Sequence, residues 1–139
     1  TFGLKKNFNA SHISFDWVHL DRINDDRLMR LIFHASDVYA CPSIDDVGPM
    51  MINEAYMCGI PVVAFDSGVG PDLIIQGKNG FIANDFNITQ FAHGLYETIF
   101  DENIKERCQN IINNDKKCTP KIQAQSYHSL FRELLETQN

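Results

Sequence analysis

Two carboxylates, Asp46 and Glu54, are separated by seven residues and stand on either side of the start of one helix. An ionised carboxylate only accepts hydrogen bonds, so it suits a vicinal diol and repels phosphate. Between the two acids lie Gly48, which lets backbone approach a ligand closely, and Pro49, which suits a first helical position where no amide donor is lost. The amides of Met50 and Met51 follow at the positive end of that helix, a place that favours an anion such as a diphosphate. Glu54 lies one turn further along and is expected on the same face as Met50 and Met51. Diol acceptors beside anion donors make a geometry for holding a sugar nucleotide, with Glu54 on a ribose and Asp46 on sugar hydroxyls.

The elements that must position these residues are a strand, a loop, a helix and a second strand. Asp37 to Cys41 reads as a short buried strand and Pro42 to Pro49 as a polar loop. Met50 to Cys58 reads as a helix stopped by Gly59 and Pro61, and Pro61 to Phe65 as the next buried strand. In an open parallel sheet, ligands sit beyond the carboxyl ends of the strands, where the loop from Ser43 to Pro49 lies. The fold class expected is α/β, a Rossmann-like doubly wound parallel sheet.

The run Pro42, Ser43, Asp46, Glu54, Ala55, Cys58, Gly59, Pro61, Val62 and Val63, with Asn79 and Gly80 further on, resembles the donor-binding half of GT-B fold glycosyltransferases, family 4 in particular. The hallmark of that family is a glutamate, seven residues and a second glutamate. The resemblance runs from about Ile13 to Phe100, with Asp46 in place of the first glutamate and Val47 to Pro49 reading VGP where many members read GFG. It implies a retaining hexosyltransferase of polysaccharide or glycolipid biosynthesis, with a UDP or GDP sugar as donor, no cofactor and no bound metal. By the same resemblance Asp46 and Glu54 are the catalytic-site acids and Gly48, Pro49, Met50 and Met51 the donor-binding segment. Arg22 and Ile23 then flank the nucleotide base. A front-face displacement assisted by the leaving diphosphate is the mechanism implied, so both acids act by orientation. Two alternatives stand beside it: a non-catalytic nucleotide-sugar-binding remnant, and a GT-B fold nucleotide-sugar epimerase.

At 139 residues the chain allows one domain, whereas a GT-B enzyme needs two. The expectation is therefore a partial C-terminal nucleotide-sugar-binding domain over residues 1–139, with C-terminal helices from about residue 87. The glycan or glycolipid acceptor is expected on an N-terminal domain, and the isolated chain is expected to have little or no transferase activity. Thr1 to Leu4 looks like the tail of a lost strand, and Ile13 to Val18 is a candidate strand. The lost strands would leave a gap between Ile13 to Val18 and Asp37 to Cys41.

Hydrophobic residues make up 44% of the chain, and no apolar run approaches the ~20 residues of a membrane span. A net charge of −6 argues against nucleic acid or an anionic membrane as partner. A cytoplasmic location is expected from the family. Cys41, Cys58, Cys108 and Cys118 lack zinc-site spacing and read as free thiols. The five histidines are scattered over different elements, so no nucleophile-and-base constellation emerges. Ser43 lacks the flanking glycines of a nucleophile elbow, and the glycines Gly68, Gly70, Gly77 and Gly80 form no P-loop or dinucleotide fingerprint.

The remaining segments alternate strand and helix. Asn24 or Asp25 caps a helix carrying Leu28, Leu31, Ile32 and Ala35 on one stripe, with the Asp25 and Asp26 pair in its first turn. Gly80 to Ala83 is a last short strand. Asn87 to Gln90 reads as a capping box with Phe86 stapled onto Phe91, and Ile88, Phe91, Ala92, Leu95 and Ile99 form the stripe that follows. Asn9 and Asn87 also head glycosylation sequons, and the cap reading of Asn87 is preferred. Ile104, Cys108, Ile111 and Ile112 make another stripe, and Thr119 with Pro120 opens a helix carrying Tyr127, Leu130, Phe131 and Leu134.

Overall fold

A computed structural model describes residues 1, 13–45, 50–114 and 119–137. Its centre is a parallel sheet of three strands, β1 (Tyr39–Cys41), β2 (Val62–Phe65) and β3 (Gly80–Ala83), in the order β1-β2-β3. Tyr39 stands opposite Val62, and Val62 opposite Gly80. The helices are α1 (Asp26–His34), α2 (Met50–Met57), the single turn α3 (Gly70–Leu73), α4 (Ile88–Phe100), α5 (Ile104–Asn114) and α6 (Pro120–Glu136). A 3₁₀ turn, Asn84–Phe86, joins β3 to α4.

β2 carries four buried residues in a row, as a strand covered on both faces must. Its side chains alternate between two cores. Val62 and Ala64 pack with Phe33, Cys41, Ile52 and Tyr56 on the face covered by α1, α2 and part of α5. Val63 and Phe65 pack with Ala83 and Phe91 on the face covered by α4. The period of two thus divides one strand between two helical layers, which is the doubly wound arrangement.

Local signals end the elements where expected. Gly59 takes φ +69° after α2; its N–H donates to the Tyr56 carbonyl and the Ile60 N–H to the Ala55 carbonyl, the paired bonds of a glycine stop. Asn87 Oδ1 accepts from the Gln90 N–H at 3.0 Å, so the cap on α4 forms. The reciprocal bond is redirected: Gln90 Oε1 accepts from the Asn84 N–H, because the 3₁₀ turn brings that donor within reach. The Phe86 ring stands edge-on to Phe65, which in turn meets Phe91.

Three expectations are corrected. Residues 13–18 form no strand, and Phe15 and Val18 are 71% and 69% exposed. A strand needs a ladder of hydrogen-bonded partners; here the Thr1 amine donates to the Val18 carbonyl at 2.7 Å, a contact at one end of the segment, and among the described residues no strand of the sheet stands beside it or on the outer side of β1. On α1 the inward residues are Phe33, with Met29 and Ile32 beside it, while Leu28 and Leu31 face outward. On α4 the inward line runs Phe91, Gly94, Leu95 and Thr98, while Ile88 and Ile99 are exposed. The reason for the last is steric: a Cβ on Gly94 would lie 2.3 Å from the Phe81 ring, so β3 seats its aromatic where α4 has no side chain.

The α5 stripe is as expected, with Ile104 and Cys108 buried and Ile111 and Ile112 packed at the edge of the core. α6 begins at Pro120 after Thr119 and has no buried residue, so its stripe of Tyr127, Leu130, Phe131 and Leu134 lies in the open. Among the described residues no helix is long and apolar enough to cross a membrane. Cys41, Cys58 and Cys108 are free thiols, Cys41 and Cys108 buried; burial pushes the Cys108 thiol up to about 11.

Candidate functional site

α2 divides its residues between the core and a cleft. Ile52, Ala55 and Tyr56 face the sheet, and Met51 turns with them against the core. Glu54 stays with Met50 and Met57, at i−4 and i+3, on an edge where those methionines are 66% and 39% exposed. The expected common face of Met50, Met51 and Glu54 is thus split, because Met51 is drawn into the core. The loop residues Asp46, Gly48 and Pro49 lie outside the described residues, as do Cys118 and Asn9.

Opposite Glu54 stands one face of α1. Asp26, Met29, Arg30 and Phe33, at i, i+3, i+4 and i+7, line a cleft of about 320 Å³ together with Glu54, Met57 and Cys58. Each helix leads into the start of a strand, so both run from the carboxyl edge of the sheet downward. Asp26 in the first turn of α1 and Glu54 in the second turn of α2 therefore lie toward the end where a doubly wound sheet takes its ligands. There, too, the loops after β1 and β2 meet: Ser67 Oγ donates to the Ser43 carbonyl at 3.4 Å.

The two aspartates at the start of α1 divide their roles. Asp25 caps the helix, its Oδ1 accepting from the Arg27 N–H at 2.8 Å and the Leu28 N–H at 3.2 Å. Asp26 is left to face the cleft. Partial burial holds the Glu54 carboxyl above the usual glutamate range, and the negative charge of Asp26 pushes it further in the same direction. At the lower end of the cleft burial raises the Cys58 thiol, while the Arg30 guanidinium draws it down. Arg22 and Ile23 stand in the segment leading into α1, Arg22 exposed and Ile23 half-buried.

Asp26 and Arg30 escaped the reading of the sequence, which saw in the aspartate pair a helix cap. The signal for them is weak: four residues spaced at 0, 3, 4 and 7 share a helix face, but nothing local says that this face meets another helix. What the cleft offers chemically is two carboxylates near its upper end, apolar walls of Met29, Phe33 and Met57, and one guanidinium.

The family model of the glycosyl transferases group 1 matches residues 4–118. The D-inositol 3-phosphate glycosyltransferase of Corynebacterium jeikeium (strain K411) is 26% identical over 104 residues, which are 74% of this chain and 25% of that protein. Spore coat protein SA of Bacillus subtilis (strain 168) is 31% identical over 78 residues, covering 55% of this chain and 21% of the relative. A sucrose synthase of Solanum tuberosum is 26% identical over 80 residues, covering 56% of this chain and 10% of the relative. The chain thus spans a quarter or less of the length of these relatives. With its Rossmann-like parallel sheet and a family match over most of its length, the chain belongs to the glycosyl transferases group 1 and forms part of a GT-B glycosyltransferase domain.

Proposed function

We propose that this chain holds the donor, a nucleotide-diphosphate sugar of UDP or GDP type, in a retaining hexosyl transfer to a glycan or glycolipid acceptor carried by the rest of the protein. The observation that carries the reading is the position of Glu54, whose carboxylate stands on the wall of the α1–α2 cleft one turn into a helix. A carboxylate so placed accepts hydrogen bonds from the ribose diol. The diphosphate then lies toward the start of α2, where Gly48, Pro49 and the amides of Met50 and Met51 favour negative charge. Arg22 and Ile23 lead into α1, so the base lies along that helix. Asp46 orients the hydroxyls of the transferred sugar.

Chemistry in this arrangement rests on stabilising the negative charge that grows on the leaving diphosphate, and dipoles fixed at a helix start act without reorganising. The two acids orient the donor and carry no covalent intermediate. No bound metal or cofactor enters this reading. A role in polysaccharide biosynthesis on the cytoplasmic side is the setting proposed.

Titration of the full-length native protein with UDP and GDP tests the donor role. Glu54→Ala is expected to weaken the preferred nucleotide by roughly tenfold to a hundredfold, as for a lost hydrogen bond to a charged group. Unchanged affinity would refute the ribose assignment. Acceptor-independent conversion of the nucleotide sugar would assign an epimerase in place of a transferase.

A further inference from the structure

We infer that Arg30 is a specificity-determining residue that reads the nucleotide base and selects bases with a carbonyl oxygen at the pyrimidine 4 or purine 6 position, uracil or guanine, over cytosine and adenine, which carry an amino group there. The inference rests on the donor-binding reading above and deepens it. A ribose held at Glu54 carries phosphate on one side and base on the other. With the diphosphate toward the start of α2, the base extends along the cleft between α1 and the lower turns of α2. The walls there are the apolar Met29, Phe33 and Met57, and the cleft volume of about 320 Å³ admits a nucleoside.

Among the described residues that line the cleft, Arg30 is the one cation. Among the described residues it makes no ion pair; the four pairs found involve His19, His93, Lys105 and Arg107. Its charge reaches the far end of the cleft, where it acts on Cys58. A guanidinium has five donors and no acceptor, so it matches carbonyl oxygens and the N7 of guanine. The amino groups of adenine and cytosine present donors on the corresponding edge, and a donor facing a donor leaves both unsatisfied. Asp26, one turn earlier on the same face, stands ready for the amino or imino hydrogens of the same bases.

The competing role for Arg30 is a solvated surface arginine near the C-terminal end of α2. A base preference separates the two. The full-length native protein is titrated with GDP, UDP, ADP and CDP, as wild type and as Arg30→Ala, Arg30→Lys and Glu54→Ala, with thermal melts to show that each variant is folded. Wild type is expected to prefer GDP or UDP. Arg30→Ala is expected to shrink that preference roughly tenfold, in line with the discrimination a bidentate arginine contact confers. Arg30→Lys, which keeps the charge and loses the fork, is expected to fall between. Glu54→Ala is expected to weaken all four nucleotides alike and to keep the preference. A preference that survives Arg30→Ala, or a wild type indifferent to the base, overturns this inference alone. A Glu54→Ala variant with unchanged affinities, or a protein that binds none of the four, overturns the donor-binding reading and this inference with it.

Discussion

Asp26 and Glu54 line the same cleft from different helices, and the negative charge of the first raises the proton affinity of the second. Neither residue is a neighbour of the other in sequence, and the pairing exists because α1 and α2 lie side by side on one face of the sheet. The ionised form of Glu54 is the one that accepts hydrogen bonds from a diol. Nucleotide affinity is therefore expected to fall as the pH is lowered, with a midpoint above the ordinary glutamate range. Asp26→Asn is expected to move that midpoint down while leaving it raised, since burial is the larger cause. Titration of UDP and GDP across the acid range measures both; a midpoint unmoved by Asp26→Asn would remove the coupling.

The same shift has a consequence for stability. A carboxyl whose folded pKa lies above its unfolded value binds protons more tightly when folded, so its contribution favours the fold at low pH and is lost as pH rises through the folded pKa. Glu54→Gln is accordingly expected to raise the urea midpoint at neutral pH and to leave it unchanged well below the carboxylate range. A variant less stable at neutral pH would show that the ionised side chain has a partner that stabilises it.

Gly94 is the seat of the Phe81 ring. Adding a methyl there places carbon 2.3 Å from ring atoms, which requires Phe81 or the whole of α4 to shift. Gly94→Ala is expected to destabilise the fold by about 1–3 kcal/mol, as overpacked cores do. Phe81→Leu in the same molecule is expected to recover part of the loss. Denaturant unfolding of the two single variants and the double variant measures it, and additive losses would dismiss the contact.

Asn79 is 4% exposed and satisfied at both ends of its amide. Its Oδ1 accepts from the Ile75 N–H at 2.6 Å and its Nδ2 donates to the Leu73 carbonyl at 2.9 Å, which closes the turn between α3 and β3. Asn79→Ala leaves both backbone groups without these partners and is expected to cost about 2 kcal/mol. Asn79→Asp keeps the acceptor, loses the donor and buries a charge, so it is expected to cost at least as much. Chemical denaturation of both variants tests the order.

Arg107 ties α5 to the same turn. It pairs with Asp101 and donates to the carbonyls of Lys78 at 3.3 Å and Gly77 at 3.2 Å. Its hydrogen bonds hold the Asp101 carboxyl below the usual carboxylate range. A lowered carboxyl contributes stability above its unfolded pKa and loses it as pH falls through the folded one. Arg107→Ala is therefore expected to reduce stability near neutrality and to matter less in acid, where only its bonds to the two carbonyls remain, and the paired charges lie at the surface, so added salt weakens the effect. Hydrogen exchange at residues 77–79 in the variant is expected to quicken; unchanged protection would mean that Asn79 alone holds the turn.

Local signals carried much of the fold. Gly59 and Pro61 stop α2, Asn87 caps α4, Pro120 opens α6, and the run VVAF becomes the central strand, since each depends on neighbours within a turn or two. The stripes on α1 and α4 were legible as amphipathic but rotated by about one residue. Overlapping sets such as Leu28, Leu31, Ile32 and Met29, Ile32, Phe33 fit the period almost equally well. The choice between them fell to the partner: Phe33 meets Tyr39 edge-on in the core, and Phe81 demands Gly94. The segment 13–18 has strand composition and no strand, because a ladder needs a run of paired residues, and the contact from Thr1 to Val18 meets only its end.

Sequence alone determined the family, the parallel α/β character and the presence of Glu54 one turn into a helix, since these rest on residue types at fixed short spacings. Tertiary structure decided that Glu54 shares its cleft with Asp26 and Arg30, that Met51 leaves it for the core, and that Asp25 caps while Asp26 faces the site. The physical reason is that helical periodicity states which side chains share a face. Which face meets which is set by the packing of two helices on one sheet.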